Sequence, residues 1–327
     1  MAIWVGIDVS KDTLDCGWCS RTHLRHIKVS NDKQGFRKFL RETPKHANFI
    51  MEATGAYHIN CALFLRAKKR HVSVENPIRI KRHMQANLQR AKTDKSDSFA
   101  IARFGEEKQP QPWNGILPRI AEMQQLQALA DKLQIQIQQF RNQRHAFTRS
   151  VLASKFVLQK IQNYNAYLEN ERKLIQFKLE EVAQLQFKRE LALITTIPSI
   201  GLSSAIRLAI AVRDFSRFKT SKQLVSFLGL SPTPKQSGTS LNSRGSISHM
   251  GGAKVRAALY FCAMCAPKCN KPCKALFKRM KAKHKPGKVI IIAIIHKLVR
   301  QVHAVVKNRV PYDANYARKH LVTIVHR

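Results

Sequence analysis

Apolar positions follow two different rhythms along this chain. In the first hundred or so residues, short apolar and β-branched runs alternate with amphipathic stretches. Strands are predicted at Ile3–Val9, Leu14–Ser20, His23–Val29, Asn48–Glu52 and His71–Glu75, with helices at Lys33–Arg41 and Tyr57–Lys69. The first three strands succeed each other closely, as in an antiparallel meander. The fourth and fifth are joined through a helix, which makes a right-handed parallel β-α-β unit. A mixed sheet with helices on its faces follows, an α/β domain over residues 1–112 closed by the Pro-containing stretch EEKQPQPWNG.

Residues 119–190 contain no proline or glycine. Met123, Leu126, Ala130, Leu133, Ile137, Phe140, Arg144, Phe147 and Val151 recur at steps of three and four, a heptad seam with one polar breach at Arg144. Ile161, Tyr164, Leu168, Ile175, Val182 and Leu185 form a second, less regular run. Two long helices turning near Asn163–Asn165 are expected, as a segment over residues 113–190. Heptads do not report whether the partner lies in the same chain, so a hairpin folded on itself and a dimerising coiled coil both stand.

Residues 191–327 read as mainly helical. The turn Ile197-Pro198-Ser199-Ile200-Gly201 between two apolar helices resembles a helix-hairpin-helix, with Ser199 where that module has glycine. Such a turn offers backbone N–H groups to a phosphate. A plain helix-helix turn is the alternative. A further helix is predicted over Phe215–Leu230, with Leu224, Phe227 and Leu228 inward. A Ser- and Gly-rich loop then runs from Ser231 into a helix that begins at Ala253. A basic loop follows over Lys268–Lys288, and an amphipathic helix over Gly287–Lys307 turns Ile290, Ile291, Ile294, Ile295 and Leu298 inward.

Charge changes the picture most. Lys and Arg number 58 against 20 Asp and Glu, a net charge of +38. That surplus is the footprint of a polyanion binder, nucleic acid before an anionic membrane. From Ser231 onward stand 20 basic residues and one acid, Asp313. Val289–Ile295, the longest purely apolar run, falls short of the roughly 20 residues a span needs, so no membrane is expected. Asp8 interrupts the N-terminal apolar run, which is unlike a signal peptide. Seven cysteines, an odd number, suit a reducing cytoplasm. Cys262, Cys265, Cys269 and Cys273 share a helical spacing broken by Pro267 and Pro272. They, with the Cys16-x-x-Cys19 pair, read better as small buried hydrophobes than as a zinc set.

Against that basic background four acids sit at the ends of predicted elements. Asp8 lies within the first apolar strand, Glu52 ends the fourth, and Asp94 and Asp97 share one face at the start of a helix. A carboxylate in an apolar strand is costly unless it is paired or binds a cation. Asp8 could simply cap backbone amides. An oxygen cluster of this kind also suits Mg²⁺, and on these residues alone a Mg²⁺-dependent nuclease is expected.

The order of GIDVSKDTLD, MEATGAY, VSVENP and KTDKSDS resembles the RNase H-like nucleases, RuvC-type resolvases among them. It resembles more closely the DEDD transposase and recombinase family of bacterial insertion sequences, which includes the Piv-type DNA invertases. A second stretch carries the same resemblance: Gln236-Ser237-Gly238, then Ile247-Ser248-His249-Met250-Gly251, then Val255-Arg256-Ala257-Ala258-Leu259-Tyr260. His249 replaces the family's lysine and Val255 its leucine. The resemblance implies a RuvC-like domain, a central dimerising coiled coil and a C-terminal transposase domain over residues 191–327. It implies that Asp8, Glu52, Asp94 and Asp97 hold Mg²⁺, with Mn²⁺ able to substitute, and that Ser237 forms a covalent link to DNA. Ser240 and Ser243 in the same loop are the alternatives for that role. Because acids and serine fall in different domains, it also implies a site shared between chains of a homodimer or tetramer. The further expectations are donor and target DNA as partners, an element-encoded bridge RNA as guide, and a cytoplasmic, nucleoid-associated protein. Lys235, Arg244, Lys254 and Arg256 flank the serine and are expected to meet nucleic acid. A RuvC-like endonuclease that uses water and no serine is the second reading, and a DNA-bridging protein without cleavage the third.

Overall fold

The computed structural model describes residues 3–20, 23–87, 93–237, 241–247 and 252–315, with backbone alone for 232–237 and 241–247. The chain divides into two compact units, 1–116 and 117–327.

The first unit is built on a five-stranded sheet. Its strands are β1 (Trp4–Val9), β2 (Thr13–Ser20), β3 (His23–Ser30), β4 (Asn48–Glu52) and β5 (Val72–Glu75), in the order β3-β2-β1-β4-β5. β1, β2 and β3 pair antiparallel, while β4 and β5 join parallel to β1. This is the expected mixed sheet. Helices α1 (Lys33–Glu42), α2 (Tyr57–Ala67), α3 (Pro77–Ala86) and α4 (Asp94–Lys108) complete the unit. Alternation assigns the two sheet faces. Val5, Ile7, Val9, Phe49 and Met51 join a core with Phe36, Phe39 and Leu65 from α1 and α2. Trp4 and Ile50 join the opposite core with Ile80, Ile101 and Phe104 from α3 and α4. Sequence reading missed α3, whose start is plain in hindsight. The side chain of Asn76 accepts from the amide of Ile78, and Pro77 stands at the first helical position.

The second unit begins with two long helices, α5 (Pro118–Thr148) and α6 (Lys155–Ile194), packed as a hairpin. Leu133, Ile137 and Leu168 are its buried contacts, flanked by Phe140 and Ile175. The turn spans 149–154, so the expected break at Asn163–Asn165 lies inside α6. Ser154 caps α6 by accepting from the amide of Val157. Asn165 is buried in the hairpin. Val151, expected in the seam, is fully exposed at the turn.

Next come α7 (Leu202–Val212) and α8 (Ser221–Phe227). α8 covers only half of the predicted Phe215–Leu230. A capping box between Thr220 and Gln223 starts it late, and Phe227, 39% exposed, lies at the surface against Phe218 rather than in the core. Where a Ser-Gly loop was expected, β6 (Pro232–Ser237) and β7 (Leu241–Ile247) form an antiparallel hairpin. α9 (Ala253–Cys269), α10 (Lys271–Ala282) and α11 (Gly287–Asn308) follow. Most of the expected basic loop is therefore helix, opened by Asn270 as cap and Pro272 in the first turn. α11 has the length and composition of a membrane span, yet Ile294, Ile295, Leu298, Val299 and Val302 are buried against the unit's other helices.

Candidate active site

The register of the first sheet lines up charged residues across all five strands. Asp8 on β1 pairs with Asp15 on β2, and Asp15 with Lys28 on β3. Ile7 pairs with Met51, which sets Glu52 beside Asp8, and Glu52 pairs with Glu75 on β5. The row runs Lys28, Asp15, Asp8, Glu52, Glu75, on the face covered by α3 and α4. Its flanks are neutralised. Asp15, only 4% exposed, takes His26 Nε2 at 3.0 Å and Lys28 Nζ at 3.2 Å. Glu75 takes Arg79 Nη1 at 2.6 Å. Among the described residues no salt bridge reaches the central pair, Asp8 and Glu52. Glu52 accepts a hydrogen bond from Thr54 at 3.4 Å.

α4 brings the other two acids to this row. Thr93 and Ser96 form a capping box, with the amide of Ser96 donating to Thr93 Oγ1 at 3.1 Å and the amide of Thr93 to Ser96 Oγ at 2.9 Å. That fixes the first turn, which carries Asp94 and Asp97 and also suits their negative charge. α4 can lie this close because the strands beneath it carry Gly6 and Gly17, themselves a cross-strand pair. A Cβ on Gly6 would run into the Ser98 carbonyl and the Ala102 nitrogen, and one on Gly17 into the Ser98 hydroxyl. Asp94 Oδ2 stands 3.9 Å from Lys28 Nζ and remains 62% exposed, at the rim.

The electrostatic result falls on Asp8. Burial pushes its carboxyl up, and Asp94, Glu52, Asp97 and Asp15 push it further, to about 6. Asp94, Glu52 and Asp97 each contribute to raising the Asp8 carboxyl, Asp94 the most of the three. Among the described residues no group of three or more His, Cys, Asp or Glu side chains stands close enough to hold a metal ion. The donor chemistry nevertheless fits a hard divalent cation, since it is all carboxylate and its central member is short of positive charge.

Sequence reading missed Asp15, Lys28, Gly6 and Gly17. Two glycines in adjacent predicted strands were the available signal for a close-packed helix.

The remaining site candidates lie in the second unit. Ser237 is the last residue of β6, paired with Leu241 across the hairpin. Lys235 and Arg244 lie on the same two strands. The side chains of Ser237, Ser243, Lys235 and Arg244 lie outside the described residues, as do Gly238, Ser240, Ser248, His249, Met250 and Gly251 altogether. Lys254 donates to Asp131 Oδ2 at 3.0 Å, beside Arg207, which grips the same carboxylate at 2.7 and 3.2 Å. Arg256 is half-buried and donates to the Leu228 carbonyl at 3.3 Å. Both therefore have partners within the protein. Ser199, in the hairpin turn, adopts φ +87°, the backbone that favours glycine. Cys262 and Cys273 are buried while Cys265 and Cys269 are exposed, so the four do not converge. Burial pushes the Cys273 thiol up to about 11, as for a packing residue, whereas Cys265 and Cys269 are not the buried hydrophobes expected.

Comparison with known proteins places the chain. Residues 5–153 match a family model for DEDD-type IS110 transposases, and residues 191–278 a model described as transposase of the IS116/IS110/IS902 family. The chain belongs to the IS110 family of transposases. Its relatives include the pilin gene-inverting proteins of Moraxella lacunata and Moraxella bovis. Each is 28% identical, over 95% of this chain and 97% of that protein. An uncharacterized 43.6 kDa protein of insertion element IS110 from Streptomyces coelicolor is 23% identical over 37% of this chain and 30% of its own length. Among solved structures, Thermus thermophilus RuvC in complex with Holliday junction substrate aligns with TM-score 0.27 at 12% identity, over 35% of this chain and all of RuvC. Asp8, Glu52, Asp94 and Asp97 all lie inside the first matched segment.

Proposed function

We propose that this protein cuts and rejoins DNA as a transposase or site-specific invertase, through a covalent serine link, with Mg²⁺ held by Asp8, Glu52, Asp94 and Asp97. The observation that carries the proposal is the sheet register that sets Asp8 beside Glu52, under an α4 whose capped first turn carries Asp94 and Asp97, in a chain of net charge +38. Such a cluster opposes folding in the metal-free protein, and a bound cation relieves it. When bound, a divalent cation there stabilises charge on the phosphate and favours the ionised form of an attacking hydroxyl. Mn²⁺ offers the same coordination.

Ser237 Oγ attacks the phosphorus, the bond from phosphorus to one strand end breaks, and that end leaves as a hydroxyl carrying a proton. A strand-end hydroxyl then attacks the phosphoserine, the phosphorus–Oγ bond breaks, and Ser237 regains its proton. The phosphodiester energy is kept in the covalent link between the two steps. Lys235 and Arg244, in the same hairpin, contact the phosphate backbone. The basic surplus suits holding an element-encoded bridge RNA together with donor and target DNA on the nucleoid, in a homodimer or tetramer.

The test is strand joining with element-junction DNA and RNA transcribed from the element's flanking region, in Mg²⁺ and in chelator. Wild type should give rejoined product only with Mg²⁺ or Mn²⁺, and Asp8→Asn and Glu52→Gln should give none. Cut DNA that is never rejoined would favour a water-using, RuvC-like nuclease instead.

A further inference from the structure

α9 presents an outward face whose composition no packing role explains. The helix buries Val255, Leu259, Cys262, Ala263 and Ala266. Turned away from them, at steps of three and four, are Lys254, Ala257, Phe261, Met264 and Lys268. Phe261 is 69% exposed and Met264 52%. Lys254 and Lys268 stand seven residues to either side of Phe261, about 10 Å along the axis in each direction. Tyr260 meets the Phe261 ring edge-on, with centroids 6.3 Å apart and planes at 89°, which braces an otherwise solvent-exposed ring.

A single exposed aromatic is ordinary. This one sits between cations, and neither α9 nor α10 carries an acid. The apolar part amounts to two large side chains, too narrow for a stable protein interface. An aromatic flanked by lysines is the arrangement that stacks an unpaired base and tracks the phosphates beside it.

We propose that this face of α9 receives a single-stranded stretch of the DNA undergoing recombination. Phe261 stacks on an unpaired base, and Lys268 and Lys254 meet phosphates to either side. Lys254 is already 3.0 Å from Asp131, yet its side chain is 69% exposed, so a phosphate can share or take over that contact. The proposal rests on the chain acting as a DNA recombinase.

The test uses full-length protein and a single-stranded DNA oligonucleotide carrying 2-aminopurine at successive positions. Anisotropy reads affinity and 2-aminopurine quenching reads stacking. Wild type should quench at one position. Phe261→Ala should abolish that quenching and weaken binding about tenfold, Phe261→Trp should retain both, and Phe261→Leu should behave as Ala. Lys268→Gln should lower the salt slope by about one. Phe261→Ala or Phe261→Leu indistinguishable from wild type overturns the proposal. So does an RNA oligonucleotide of the same sequence that binds more tightly through Phe261. A Phe261→Ala variant that changes only the oligomeric state shows the face to be a contact between copies, which also overturns it. Covalent capture of DNA at Ser237 without Phe261-dependent quenching overturns the role of this face alone, whereas a wild type that binds no DNA overturns the recombinase as well.

Discussion

Gly6 on β1 lies directly beneath the carbonyl of Ser98 on α4, with no room for a Cβ between them. This contact lets the first turn of α4 reach Asp8. Gly6→Ala must lift the helix or strain the strand. Overpacking of this kind costs about 1–3 kcal/mol. The variant should unfold at lower denaturant, and Asp94 and Asp97 should retreat from Asp8. A Mn²⁺ titration followed by electron paramagnetic resonance should then show weaker binding than in wild type. Unchanged cation binding would mean that α4 does not set the site.

Asp8 makes the metal-free protein sensitive to pH. Its folded carboxyl titrates near 6, above the ordinary 3.8. The folded state therefore holds the proton more tightly than the unfolded chain does. Stability from this group is present below about 3.8 and is lost as pH rises through about 6. Asp8 is only partly buried, so screening reduces the effect to about 1 kcal/mol. In chelator, Asp8→Asn should melt higher than wild type at pH 8, and the gap should shrink at pH 4.5. A constant gap would remove the electrostatic explanation.

Ser199 holds φ +87°, and its buried hydroxyl oxygen has no hydrogen-bond partner among the described residues. Ser199→Gly relieves both costs and should raise stability by about 1 kcal/mol. Thermal unfolding checks it, and a lower melting temperature would show that the turn is not strained.

Asp131 ties α5 to α7 and to the first turn of α9 through Arg207 and Lys254. Burial alone would raise its carboxyl, but the two cations hold it below the ordinary range. Asp131→Asn leaves Arg207 without its counter-charge and should cost about 2 kcal/mol. It also releases Lys254, so the folded variant should bind DNA more tightly at low salt. Weaker binding would mean that Asp131 positions Lys254 for DNA rather than competing for it.

Asp8 and Glu52 stood out because a carboxylate in an apolar strand breaks a strong pattern, and the mixed sheet was legible because its strands were short and well bounded. The closeness of α4 was not, since it depends on Gly6 and Gly17 facing a helix that only the register places there. The β6–β7 hairpin was hidden because PTPKQS and LNSRGSI lack the apolar alternation that marks a half-buried strand. The long helical turn was misplaced because Asn163 and Asn165 looked like punctuation. The true turn exposes Val151 and Leu152, apolar residues that carry no turn signal.

Covalent capture of DNA tests the central claim most directly. Protein, Mg²⁺, labelled junction DNA and flanking-region RNA are mixed and stopped with denaturant, and a DNA-shifted protein band is sought on a denaturing gel. A band in wild type, in Ser240→Ala and in Ser243→Ala, absent from Ser237→Ala and Asp8→Ala, is the predicted result. Cut DNA with no shifted band in any lane would contradict it and leave a metal-dependent nuclease.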